Sequence, residues 1–549
     1  MRGCGYHSTV KSLTYSALTH FAPTQSALPC ASRRWRRRLA VLLVSAATGL
    51  ACTSAAAQSL NTAAASRLPT LGDTAREDLS PVTERKLGEE IMRQIRRDRD
   101  YLDDDQILDY LNHFGGALVD AAPGARGETG SDFGFFAVRD PVLNAFALPG
   151  GYIGIHSGLL IAAQTESELA SVMSHEIGHV SQRHIARMLG QQRQDALLPI
   201  AAMILAALAA RASPDAAMGV LMGGQGLAID RQLSFSRDAE READRVGFQI
   251  MGAGGYDTTG MVAFFKRLQS ANKVYGEMPA FLSSHPLTGE RIADIQSRIR
   301  ETPRRQRADA IEFHLAKARA RVLQDGSTTG LRDTRTTFET QMSQPQRQQQ
   351  VAAQYGLAYL SLKQGDLAAA RSWLDKSRAS MKPKEGVLSA APPSDGGAMF
   401  AGLDLEIKLA AGQPKEVVQS AVKDAEQAVH AYPLSRALAR QYAEAMIAAG
   451  KLDDATRYLR EQVRMYREDP KLYDLMAKAY SSQGKIALQH MALAESYVLA
   501  GALPAAVDQL DFARKASDAS FYDQSVIDAR ERDIKERQRE FKELEEKVK

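Results

Sequence analysis

VMSHEIGHVSQRH, residues 172–184, places three histidines and a glutamate within thirteen positions. Its core, His175-Glu176-Ile177-Gly178-His179, is the HExxH arrangement, and its reading decides the fold around it. On an α-helix, residues four apart lie about 40° apart around the axis, so both imidazoles face the same way. They can share one zinc ion, with Glu176 one position on and placed to reach water at that ion. Chance alone yields the pattern in a chain of this kind on the order of once in a hundred. The surroundings must therefore carry the argument.

Zinc in a catalytic site takes three protein ligands and keeps one position open. His184 lies five positions after His179, roughly 140° away around a continuous helix. It points away from the shared ion and reads, like His156, as structural or surface. The metzincin pattern requires glycine at 182 and histidine at 185, where this chain has Gln182 and Ile185. A third ligand must come from elsewhere. SRDAEREADRVGF (236–248) reads as a second helix with Glu240 and Asp244 on one side. Glu240 is the candidate ligand, and Asp244 the candidate acceptor of a ligand histidine's free N–H, which fixes its tautomer. Glu242 points about 200° away from Glu240 and is the weaker candidate. Without HExxH the segment reads as a charged surface helix.

Upstream, Ser80-Pro81 predicts an N-cap and first-turn proline opening a helix to Arg97, and a second helix covers Asp105 to Ala121. FGFFAV (133–138) and NAFALPGGYIGI (144–155) read as strands. Pro149-Gly150-Gly151 makes the second either a hairpin or a kinked edge strand. Thr165-Glu166-Ser167-Glu168 has the capping-box pattern, and its helix should run to about Leu189. ALLPIAAMILAALAA (196–210) is too short to span a bilayer and contains Pro199, so it reads as a buried or lid-forming helix, with peripheral membrane contact as the other reading.

Beyond ETPRRQRAD (301–309) strand signals fade into alanine-rich helices punctuated by Gly365, Gly412, Gly450 and Gly484. Their separations are 47, 38 and 34 residues, the last being the tetratricopeptide period. Small residues Ala443 and Ala455, and later Gly501 and Ala506, stand where paired helices would cross. A generic helical bundle is the alternative. The tail ARERDIKERQREFKELEEKVK reads as a solvated charged helix.

The chain has 549 residues, 44% hydrophobic and 24% charged, with a net charge of +4. Residues 1–57 hold seven basic and no acidic side chains, so the remainder is mildly acidic and gives no reason to expect nucleic-acid binding. RRWRRR followed by LAVLLVSAATGL and Ala55-Ala56-Ala57 matches a secretory signal cleaved near Ala57. All three cysteines lie in that leader, so the mature chain uses no disulfide.

HExxH followed some sixty residues later by ExxxD, with NAFALPGGYIGIHSGLL upstream and SSHPLTGERI downstream, resembles the M48 family of zinc metalloproteases. The resemblance spans residues 81–300 and is looser beyond. It implies a gluzincin-type fold with one zinc ion per chain, held by His175, His179 and Glu240, and with Glu176 as the catalytic base. It also implies that Asn144, Ala145, Phe146 and Ala147 belong to an edge strand along which an extended substrate pairs. His285 then either stabilises the oxyanion or approaches zinc as a fourth ligand, with Arg291 expected to contact the same region. The expected order is a signal peptide (1–57), a linker (58–80), a gluzincin-like α+β metalloprotease domain with a small sheet (81–300), and an all-α tetratricopeptide-like domain (310–549). With an export signal, the resemblance further implies a periplasmic endopeptidase acting on misfolded or stalled outer-membrane proteins. The helical repeats would bind substrates or the β-barrel assembly machinery. The alternative is a chaperone or scaffold with secondary proteolysis.

Overall fold

The computed structural model describes residues 80–127, 130, 132–190, 236–275, 280–302, 305–381 and 396–546. The expected signal segment, nearly all of the linker, the apolar run 196–210 and the glycines of LMGGQG (221–226) lie outside the described residues.

Helix α1 (Pro81–Ile95) opens on Ser80, whose hydroxyl accepts the Thr83 amide at 3.1 Å, and it ends two residues before the expected Arg97. Helix α2 (Asp105–Ala121) is capped by Asp104 and buries Ile107, Leu111, Phe114 and Leu118 at helical spacing. The sheet has three strands in the order β1 (Gly134–Val138), β3 (Tyr152–His156), β2 (Ala145–Leu148). β1 runs parallel to β3, and β2 pairs with it antiparallel. NAFALPGGYIGI is therefore a hairpin, closed by a one-turn helix at Pro149–Gly151 in which Gly150 takes φ 77°. That leaves β2 on the edge.

Helix α3 (Ser157–Ala162) leads into α4 (Glu166–Ser181), all of whose residues are buried. The Thr165 hydroxyl accepts the Glu168 amide at 3.2 Å, while the Glu168 carboxylate accepts the Gln164 amide at 2.8 Å. α4 does not continue to Leu189. It stops at Ser181, and α5 (His184–Gly190) starts afresh after Arg183, which adopts the left-handed φ of 53°. The protease-like part is completed by α6 (Arg237–Ala253), α7 (Thr259–Tyr275), α8 (Ala280–Ser284) and α9 (Gly289–Glu301).

From residue 311 onward the elements among the described residues are all helices: α10 (Ile311–Gln324), α11 (Thr328–Met342), α12 (Arg347–Lys363), α13 (Leu367–Met381), α14 (Gly397–Leu409), α15 (Lys415–Ala431), α16 (Arg436–Ala448), α17 (Leu452–Met465), α18 (Pro470–Ser482), α19 (Ile486–Leu499), α20 (Leu503–Lys515) and α21 (Phe521–Glu546). Gly365, Gly412, Gly450 and Gly484 sit in turns with φ between 73° and 86°, a conformation open to glycine at no steric cost. Ala443, Ala455 and Ala506 are fully buried. The tail helix α21 is not simply solvated, because Ile527 and Ile534 pack against Ala494, Val498 and Leu510. Among the described residues no helix is long and apolar enough to cross a membrane.

One apolar core runs from Leu102 to Ile407, so helices α10–α14 close the core of the protease part. A buried ion cluster sits at that junction. Arg319 of α10 donates to both Asp104 oxygens at 2.6 and 2.7 Å and to Glu406 at 2.6 Å, and it stacks on Tyr359. Arg319→Leu leaves two carboxylates without their cation, and breaking such a pair from one side costs about 3–5 kcal/mol. The midpoint of urea unfolding should fall accordingly; an unmoved midpoint would show that the cluster does not hold the two parts together.

Candidate metal centre

α4 carries His175, Glu176 and His179, α6 carries Glu240 and Asp244, and the site forms where these helices cross. Glycine stands at both contact points. A Cβ on Gly178 would lie 2.9 Å from the Ala243 carbonyl oxygen, and one on Gly247 would lie 2.9 Å from the His175 amide nitrogen. The two backbones can touch only because neither residue has a side chain.

Ligand atoms from His175, His179, Glu240 and His285 all lie within 4.8 Å of one another, and all four residues are buried. His175 Nε2 is 3.1 Å from His179 Nε2 and 3.3 Å from His285 Nδ1. Glu240 oxygens stand 3.4 Å from His179 Nε2, 3.5 Å from His175 Nε2 and 2.9 Å from His285 Nδ1. Donors around a tetrahedral ion with bonds near 2.1 Å are about 3.4 Å apart, so this set fits a zinc-sized cation. Glu176 is fully buried, with the Ala147 amide beside its carboxylate and His285 Nε2 at 3.5 Å from one of its oxygens.

Behind the donors, Asp244 lies 3.0 Å from His175 Nδ1. Arg291 of α9 grips Asp244 through Nε at 2.6 Å and Nη2 at 2.8 Å, and reaches Glu240 through Nη1 at 2.7 Å. Burial opposes charge throughout the site, and neighbours decide the outcome. Burial would lift Asp244, but Arg291 and then His175 hold it below the usual carboxylate range. Burial likewise works against ionised Glu240, which His285, His175 and His179 bring well below its ordinary value. For His175, Asp244 and Glu240 overturn the effect of burial and raise it to about 10. His179 is driven well below its ordinary value by burial. Glu176 is pushed up by burial, against the opposing charges of His285 and His175 and the amide of Ala147. That is the direction a carboxylate general base needs.

The structure thus brings together His175, Glu176, His179, Glu240, Asp244 and His285, and lays the edge strand β2, preceded by Asn144, beside Glu176. Glu242 stays outside the donor set. His156 is buried, 3.3 Å from Asp140 and edge-on to Phe146. His184 departs from expectation: the break at Arg183 turns it inward, so that its Nδ1 lies 2.9 Å from His179 Nδ1. No glycine or proline announces that break. Arg291, within SSHPLTGERI, is a stronger part of the site than its sequence context suggests, since it pairs with both Glu240 and Asp244.

Two histidines and a carboxylate gathered around a buried glutamate define a metallopeptidase. Residues 118–299 match peptidase family M48. The chain is 30% identical over 510 residues to the β-barrel assembly-enhancing protease of Escherichia coli K12, which covers 93% of this chain and 99% of that one. It is 36% identical over 305 residues to the putative β-barrel assembly-enhancing protease of Vibrio cholerae, covering 55% of this chain and 61% of the relative. Human mitochondrial metalloendopeptidase OMA1 is 26% identical over 160 residues, 28% of this chain and 30% of that protein. The chain belongs to peptidase family M48 and is a metalloendopeptidase.

Asp244→Asn keeps the shape of the residue that faces His175 but removes its charge. Metal affinity, measured by chelator competition, should drop about 10- to 100-fold, the usual effect of losing such a partner. Unchanged affinity would show that Asp244 does not orient a ligand.

Proposed function

We propose that this chain is an exported, periplasmic zinc endopeptidase that cleaves misfolded or stalled outer-membrane proteins, with its helical, tetratricopeptide-like half holding substrates or the assembly machinery. The observation that carries the reading is the fully buried Glu176 carboxylate beside four donor atoms at metal-ligand spacing. His175, His179 and Glu240 would hold the metal, and their nitrogen and oxygen donors suit zinc. A zinc ion bound there lowers the pKa of water and polarises a peptide carbonyl. Glu176 takes the proton of the attacking water and delivers it to the leaving amine. The substrate class rests on the names of the relatives, and the periplasmic location on the leader sequence.

Strand β2 offers the substrate its backbone. The Asn144 carbonyl accepts the His156 amide, so the antiparallel alternation turns the N–H and C=O of Ala145 and Ala147 outward, on the side of Glu176. An extended segment pairing there is read by its main chain more than by its side chains. This suits an enzyme whose substrates share only a failure to fold.

His285 fills the fourth donor position, as a ligand that keeps the enzyme latent until it is displaced. Two contacts support this. The Phe281 ring stacks on His285, and the Phe281 amide donates to the outward carbonyl of Leu143, next to the strand edge that a substrate would use. A closed coordination set leaves no room for water.

Two variants test the proposal on an unfolded β-barrel substrate. Glu176→Gln should retain metal and lose cleavage; wild-type cleavage would remove Glu176 as the base. Substrate capture that outlasts cleavage in this variant, together with normal barrel assembly, would favour the chaperone reading. His285→Ala should raise cleavage by opening the fourth position. A fall of about 10²- to 10³-fold would instead make His285 the oxyanion donor.

A further inference from the structure

His184 touches the metal centre from outside the donor set. In a continuous helix it would lie roughly 140° from His179. The chain instead breaks at Arg183, whose left-handed backbone is unfavourable for a non-glycine residue. That conformation is held in place. Arg183 is buried, and its guanidinium donates through Nε at 3.2 Å and Nη2 at 3.0 Å to Glu84 of α1. The result is a short chain of contacts: His184 Nδ1 lies 2.9 Å from His179 Nδ1, and His184 Nε2 lies 3.1 Å from Glu242. Glu242 is in turn gripped by Arg187 at 2.9 Å.

The tautomers follow from the geometry. His179 presents Nε2 to the donor cluster. A ring that ligates through Nε2 is neutral and keeps its proton on Nδ1. That N–H points at His184 Nδ1, which accepts only when His184 carries its own proton on Nε2. The Nε2–H then donates to Glu242. Each ligand histidine thus has its own rear partner: Asp244 directly for His175, and a histidine backed by a carboxylate for His179.

We propose that His184 is a positioning residue of the metal centre, turned inward by the Arg183 kink to fix the tautomer and orientation of His179 through a His179–His184–Glu242 relay. The inference rests on the reading of His179 as a metal ligand. A histidine that merely fills space would leave the metal unaffected once its volume is replaced.

The test uses the full chain with Zn2+ in chelator competition and Co2+ as a spectroscopic probe. His184→Leu replaces bulk without an acceptor; His184→Asn keeps an acceptor oxygen close to the place of Nδ1. His184→Leu should weaken zinc binding about 10- to 100-fold and shift the cobalt absorption bands, and His184→Asn should recover most of both. Thermal unfolding of the metal-free proteins should be alike. Wild-type affinity and spectrum in His184→Leu, or equal losses in both variants, would overturn the proposal. If His184→Leu does not fold, Glu242→Ala, at the partly exposed end of the relay, serves instead. It should weaken binding in the same direction, and an unchanged affinity and spectrum would overturn the proposal. His179→Ala separates the two readings. If it binds metal like the wild type, the ligand assignment fails; if it loses metal while the His184 variants do not, only the relay fails.

Discussion

The constraint on which the site depends is the contact of two helix backbones at Gly178 and Gly247. Gly178 lies between the two histidines of HExxH, and Gly247 one turn after Asp244. Neither position tolerates a Cβ without moving the opposite main chain, so α4 and α6 approach as closely as helices can. Short carboxylate side chains then reach the imidazoles directly. With ordinary side chains at the crossing, helix axes separate to the usual 8–10 Å. Glu240 could then no longer stand 3.4 Å from His179 while Asp244 stands 3.0 Å from His175.

That closeness has an electrostatic consequence. It buries Glu176, Glu240 and Asp244 in one place, and unpaired buried carboxylates are strongly unfavourable. Arg291 supplies a permanent cation to Glu240 and Asp244, and the histidines supply the rest. Glu176 has its ionisation shifted upward by burial. The arrangement separates carboxylates that are held ionised from one that can exchange a proton. This division of labour is what hydrolysis at a metal requires.

How much of this the sequence discloses depends on the range of the forces involved. Helical periodicity alone aligns His175 with His179 and Glu240 with Asp244, because four-residue spacing is a local property. The PGG segment leaves hairpin and kinked strand equally open, since its glycines permit either; pairing with β1 and β2 on opposite edges of β3 decides it. The inward turn of His184 is not legible in the sequence, because Arg183 is a residue that ordinarily continues a helix and its left-handed backbone is secured by Glu84, ninety-nine positions earlier. No local rule contains that contact. The tail helix was different. Ile527 and Ile534 lie seven apart on one helical face, so their docking was visible in the sequence but hidden by the surrounding charge.

The junction between the two halves shows why a compositional boundary near residue 305 is not a mechanical one. Asp104 caps α2 through the Ile107 amide and also receives Arg319, so the same carboxylate opens a protease-side helix and anchors α10. At the next residue, burial would raise Asp105, but Arg440 of α16 and Lys471 of α18 hold it below its ordinary value. Asp109 accepts from Ser435 and the Ala437 amide at the start of α16. The start of helix α2 therefore presents three anchoring points to the C-terminal helices while its apolar face packs against the sheet that carries the edge strand. A tethered module would meet its neighbour through a small, wet and polar interface. Here the core is continuous as far as Ile407 and the Arg319–Asp104 pair is buried, so helices α10–α14 pack as part of the body that carries β2 and the metal centre.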